Sequence, residues 1–249
     1  MKRITYLVFA SVCLVGLLSA CSGSTSTRVL VGTDATFPPF ESVDEQTKEL
    51  VGFDIDLMKA IATREGFEIE FVNVGFDPLL AGLKQCQYDV GIAAITITDE
   101  RKQSMLFSEP YYLAGQVVVV RKDNTDIMSK EDLSGKTVGS QIGTTGAIEA
   151  EKIPGAQLKT YDSFDLAFQD LINGQIDAVI ADNPLTRIFL AQSGETLKTA
   201  GEVFNSESYG IAVCNKRAEL VQKINQGIAA VKQDGTLDKL IQKWIVAAQ

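Results

Sequence analysis

The chain has 249 residues, 45% of them hydrophobic, enough for one large domain or for two lobes of about 100 residues each. Its formal charge is −9 and it has no basic stretch, which argues against a nucleic-acid partner. It has no histidine and only four cysteines, so the common histidine-based zinc and iron sites and a Ser-His-Asp triad are excluded; no metal, cofactor or catalytic residue is expected.

Residues 1–21 have the pattern of a targeting segment. Lys2 and Arg3 give a positive start, 4–18 is mostly apolar, and "LLSAC" closes it with small residues. The apolar run is short for a membrane span. Residues 18–21, "LSAC", resemble the bacterial lipobox. That likeness implies cleavage before Cys21, lipidation of its thiol with palmitate-like chains, and membrane attachment through buried acyl groups. "SGSTSTR" then reads as a flexible tether, 22–27, to a body working outside the cytoplasm. Two cysteines remain, Cys86 and Cys214; in an oxidising compartment they are either a disulfide or two separate buried thiols.

In chain order, "RVLVGTDATFPPFE" begins as a strand and breaks into a loop at Pro38 and Pro39. "VGFDIDLMKAIATREGF" carries apolar residues at 53, 57, 58 and 61, one helix face. Asp54 and Asp56 fall in its first turn, where they are expected as helix-dipole partners, and Gly66 can end it. "EIEFVNV" alternates as a strand, "FDPLLAGLKQCQ" is a short helix, and the β-branched run 92–98 of "YDVGIAAITIT" suits a buried strand. Strand, helix, strand, helix, strand predicts a parallel α/β sheet. A second unit follows with "GQVVVVRK", "KTVGSQIGTTGAIEAEK", "QLKTYD", "SFDLAFQDLINGQ" and "IDAVIADNPLT", then a strand and two helices to the end. Two such units imply two lobes, with ligands bound beyond the carboxyl ends of their strands.

The chemistry sits at four strand ends: Asp34 with Phe37, 96–101, 141–146, and Asp182. A cation is disfavoured at a helix N-terminus. Arg101 is therefore either a surface residue or the partner of an anion, and its planar fork matches a carboxylate. "GSQIGTTGAIEA" is either a structural turn or a source of free N–H groups for the same anion; without a Gly-Lys-Ser/Thr ending it is no nucleotide loop. Asp182 is either a helix cap or a carboxylate aimed at a cation. An anion at Arg101 and an ammonium at Asp182 together describe an α-amino acid. Phe37 and Phe76 are either core residues or covers over its side chain.

"GTDATFPPFE", "GFDIDLMKAIA", "AAITITDERKQSMLFSEPYY", "GSQIGTTG" and "DAVIADNP" resemble the polar amino acid branch, family 3, of the bacterial solute-binding proteins that serve ABC importers. The resemblance implies an α/β type II periplasmic-binding-protein fold: two lobes, 28–112 with 206–249 and 113–205, joined by two crossovers near 111–115 and 204–210, with a ligand cleft between. It assigns Arg101 to the ligand carboxylate, a hydroxyl and N–H of Thr96 to the ligand backbone, and the Ala94 carbonyl to its ammonium. Thr144 and Thr145 match the second lobe's carboxylate-binding amides, Asp182 the ammonium acceptor, and Asp34, Phe37 and Phe76 the side-chain contacts. Gln141 stands where some glutamine binders have lysine, and Ala181 where they have histidine. The fold would also set the strand "YGIAVC" beside "DVGIAAIT", bringing Cys214 to Cys86 as a disulfide.

The implied function is capture of a polar L-amino acid by hinge closure and delivery to an ABC permease, with ATP hydrolysis on another subunit. Asp34, with no lysine at 141, leans the ligand towards arginine, lysine or histidine, because a buried cation needs an opposing charge. Glutamine is the alternative, since Asp34 can accept from an amide. Other classes are a periplasmic cyclohexadienyl or prephenate dehydratase-like enzyme, and a signalling or adhesive lipoprotein. A monomer is expected.

Overall fold

The computed structural model describes residues 28–247. The expectations for the targeting segment, Cys21 and the tether lie outside the described residues. Two five-stranded sheets carry the fold. In the first, the order is Ile69–Asn73, Val29–Thr33, Val90–Gly91, Ala212–Cys214, Met105–Phe107. In the second it is Gln157–Tyr161, Thr137–Gln141, Ala178–Asp182, Gln116–Arg121, Leu197–Ala200. Each sheet has three parallel strands, then one strand antiparallel to them, then an edge strand antiparallel to that fourth one. The sheets thus repeat one topology. Between them the chain crosses at Tyr112–Ala114 and returns at Glu207–Tyr209, and these two strands pair antiparallel.

Helix Phe53–Glu65 shows how pattern becomes packing. Phe53, Leu57, Met58 and Ile61 are fully buried, as their spacing requires. Gly66 ends the helix in the left-handed region, its N–H bonded to the Ala62 carbonyl. The buried face meets helix Ala218–Gln233, whose Ile224, Ile228 and Val231 are also buried. Each such side chain contributes ~1.5–3 kcal/mol through removal from water.

The run 92–98 departs from its expected strand. Only Val90–Gly91 joins the ladder. Ile92 and Ile95 are buried, but Ala94 takes φ 46° and turns the chain away. The cause is tertiary: the Ala94 N–H donates to Asp54 Oδ2 at 2.8 Å. Beyond the turn the segment runs along the returning crossover, with Ile97 N–H donating to Ser208 O at 2.8 Å and Gly210 N–H to Ile95 O at 3.0 Å. β-Propensity has yielded to a buried carboxylate. The sequence also carries no sign of the small three-stranded antiparallel sheet Thr36–Phe37, Glu41–Val43, Leu50–Val51.

Cys86 and Cys214 form a disulfide, with Cα atoms 5.1 Å apart and a sequence separation of 128. Register puts Val213 beside Val90, which brings the flanking cysteines together. In the chain-entropy account, closing so long a loop raises the free energy of the unfolded state by about 2–4 kcal/mol. Reduction with dithiothreitol is therefore expected to lower the melting temperature markedly while leaving ligand affinity within about twofold, since the bond lies away from the strand ends. An unchanged melting temperature would contradict this.

Candidate functional site

A nearly closed pocket, with free space of about 10 Å³, lies where the two sets of strand ends face each other. It is lined by three acids, Asp34, Glu41 and Asp182, against one cation, Arg101. Phe37, Phe76, Ala94, Thr96, Gln141, Thr144 and Thr145 complete most of its wall. All the residues singled out at the four strand ends as ligand groups thus share one space.

Arg101 is buried in the short helix Asp99–Lys102, which Thr98 caps by accepting the Arg101 N–H at 3.2 Å. Its fork donates from Nη1 to Thr96 O at 2.7 Å and from Nη2 to Gly143 O, in the other lobe, at 2.9 Å. The guanidinium lies 5.4 Å from the centre of the Phe76 ring. Burial lowers its pKa to about 10 while the charges of Glu207 and Asp182 oppose that, so it stays a cation at neutral pH.

Facing it, the loop after Thr137–Gln141 needs two glycines. Gly143 has φ 78°. At Gly146 a Cβ would come 2.8 Å from both Ile180 O and Ser140 Oγ. Thr144 caps helix Thr145–Glu151 and spends its hydroxyl inside the loop, donating to Gln141 O at 2.7 Å and accepting from Ala147 N–H at 3.3 Å. The N–H groups of the helix's first turn have no intrahelical acceptor.

Asp34 and Gln141 join the lobes directly, with Gln141 Nε2 donating to Asp34 Oδ2 at 2.7 Å. Burial raises the Asp34 pKa; that bond and one from Thr36 oppose it. Phe37 packs edge-on against Phe164 of the second lobe, with centroids 5.7 Å apart. Asp182 accepts from Gln116 Nε2 and, at 2.5 Å, from the Tyr209 hydroxyl. No side-chain bond of Asp182 caps the helix that follows it. Burial first, and the neighbouring Glu207 charge second, push its pKa up to about 7.

The burial of two acids escaped the sequence reading. Glu41 is fully buried, and neither its Oε1 nor its Oε2 has a donor partner. Asp54 stands in the first turn of its helix, as expected, and is fully buried there. Its Oδ2 accepts from Ala94 N–H and from the Tyr111 hydroxyl, both at 2.8 Å, while Oδ1 has no donor. Burial, then the Asp54 charge, holds the Glu41 carboxyl well above its usual range, and burial raises Asp54 to about 6. A Phe-Glu dipeptide just after two prolines carries no local sign of such burial. Asp56, by contrast, faces outward and accepts from Lys243 Nζ at 2.7 Å and Trp244 Nε1 at 2.8 Å.

The family model of the bacterial extracellular solute-binding proteins, family 3, matches residues 29–247. This chain belongs to that family. Among curated relatives, the ABC transporter arginine-binding protein 1 of Escherichia coli is 36% identical over 226 residues, 89% of this chain and 92% of that one. The probable histidine-binding protein of Campylobacter jejuni is 35% identical over 222 residues, 89% and 86%. An ancestral arginine-binding protein, solved with arginine and also with glutamine, superposes with a TM-score of 0.83 at 46% identity, over 87% of this chain and 97% of that one. The architecture is accordingly the type II periplasmic-binding fold, and this solute-binding protein is not an enzyme. Among the described residues no helix is long and apolar enough to cross a membrane.

The ionisation of Asp182 sets a pH dependence. A carboxyl whose pKa rises on folding stabilises the fold fully below its unfolded value, near 3.8, and that stability is lost as pH rises through about 7. Each tenfold difference in proton affinity is worth about 1.4 kcal/mol. Asp182→Asn keeps the shape and removes the cost. The ligand-free variant is expected to melt several degrees above wild type at pH 8 and near it at pH 4–5, by differential scanning fluorimetry. A variant less stable at pH 8 would refute this account of Asp182.

Proposed function

We propose that this solute-binding protein captures a cationic L-amino acid, arginine foremost, and passes it to the permease of an ABC importer. The observation that carries the reading is the charge inventory of the cavity: three buried acids against one guanidinium, with both oxygens of Glu41 lacking a donor. A basic amino acid answers each group. Its carboxylate meets Arg101 and the first-turn N–H groups of Thr145 and Gly146, and its ammonium meets Asp182 and the Ala94 carbonyl. Its side chain lies between Phe37 and Phe76 with its charge on Asp34 and Glu41. An unpaired buried cation would cost far more than this pairing does. The arginine- and histidine-binding relatives support the same class.

Glutamine is a second reading, favoured by one contact. The Gln141 amide already satisfies Asp34, so a ligand amide could do the same. The ancestral relative solved with glutamine also supports it.

Closure follows from geometry. Lobe 28–112 with 206–249 supplies Arg101 and Asp34, and lobe 113–205 supplies the 143–146 loop and Gln141. A ligand gripping both favours the closed state by its differential affinity for it. The closed form then docks on the permease as a monomer, and the nucleotide is hydrolysed elsewhere. The lipobox-like 18–21 supports a membrane tether through Cys21, outside the cytoplasm.

A thermal-shift screen of the twenty amino acids is expected to show arginine raising the melting temperature most; stabilisation by none of the basic residues would end this reading. By calorimetry, Asp34→Asn should weaken arginine at least tenfold and glutamine only mildly, and an equal loss would favour neither charge nor class. Arg101→Ala should abolish detectable binding with the circular dichroism spectrum unchanged. Cys21→Ser should move the protein from the membrane to the soluble fraction; retention on the membrane would exclude the lipid tether.

A further inference from the structure

One charged group in the cleft belongs to neither set of strand ends. Glu207 stands on the returning crossover, 8% exposed. Its Oε2 accepts from the Thr96 hydroxyl of the first lobe and from the Thr145 hydroxyl of the second, each at 2.8 Å. Gln116 Nε2 approaches the same oxygen at 3.4 Å, and Asn205 Nδ2 donates to Oε1 at 2.9 Å. The two threonine oxygens are 3.5 Å apart. One carboxylate on the hinge therefore holds a hydroxyl from each side of the cleft.

A hydroxyl has a single proton. With both protons turned to Glu207, Thr96 and Thr145 offer the cleft only lone pairs. Thr145 already accepts in this sense, from Gln116 Nε2 at 3.2 Å. Lone pairs beside Asp182 suit an ammonium and repel a carboxylate. We propose that Glu207 is a positioning residue for the ligand's α-ammonium, fixing the polarity of the Thr96 and Thr145 hydroxyls and tying both lobes to the crossover when the cleft is shut. This rests on the reading that the ligand is an α-amino acid. It makes the Thr96 hydroxyl, expected to serve the ligand backbone, an acceptor there; the backbone N–H groups and Arg101 keep the carboxylate.

Two variants test it, with L-arginine as ligand and calorimetry across pH 5–9. Glu207→Leu removes the acceptor, frees both hydroxyl protons to face the ammonium, and is expected to cost at least a hundredfold in affinity at pH 8. Glu207→Gln is isosteric and removes only the charge. Asp182 faces Glu207, Tyr209, Arg101 and the Gln116 amide, and must be ionised to take an ammonium, so binding weakens on the acid side. Losing the like charge of Glu207 makes Asp182 easier to ionise. The acid midpoint of Glu207→Gln should therefore move down by about half a pH unit or more, a shift that a merely structural role would not produce. Affinity of Glu207→Leu within threefold of wild type, or a Glu207→Gln midpoint that stays or rises, overturns the proposal; the Gln profile decides alone should the Leu variant not fold. Wild-type protein silent to every amino acid would overturn the ligand reading, and this one with it.

Discussion

Everything in the cleft depends on one constraint: a charge removed from water must be met by another group. Arg101 is buried and remains a cation, so two carbonyls hold its fork, one from its own segment and one from the opposite lobe. Asp182 is held by a tyrosine hydroxyl and an amide, and Asp34 by an amide across the gap. Several of these contacts run between lobes. Protein groups thus partly stand in for the partners that a zwitterion would provide, and a ligand succeeds by doing better than they do.

The same constraint sculpts the backbone. Asp54, fully buried at the start of its helix, takes the Ala94 N–H and with it turns a β-branched run out of the sheet. That turn sends 95–97 along the returning crossover, where Thr96 forms an isolated bridge with Tyr209. The cleft-lining threonine and the crossover are therefore mechanically one piece. On the second lobe, Gly143 and Gly146 let the loop come close to the strand beneath it, at positions where a side chain would strain the turn or strike Ile180 O. The two lobes share strand order but build their faces differently, one with a guanidinium, the other with a helix start.

Balancing these charges is costly to the fold. Glu41, Asp54 and Asp182 are all pushed towards their neutral forms by burial, and Asp182 further by Glu207. Acids gathered in one buried cleft are uncomfortable there, which is the usual relation between a binding site and the stability of its scaffold.

Much was legible in the residues alone. The period of 53, 57, 58 and 61 determined a helix and its buried face, because apolar side chains on one side of a helix must find cover. The alternation of strands and helices determined two α/β units, and polar residues at four strand ends marked the cleft they share, because local periodicity is carried by neighbours in sequence. What only the tertiary structure decided involves groups far apart in the chain: Glu41 against Asp54, Ala94 against Asp54, Glu207 between Thr96 and Thr145, and Cys86 bonded to Cys214. No window of sequence reports the burial of a carboxylate or the direction of a hydroxyl proton. Those are set by partners 13 to 128 residues away, and folding alone brings them together.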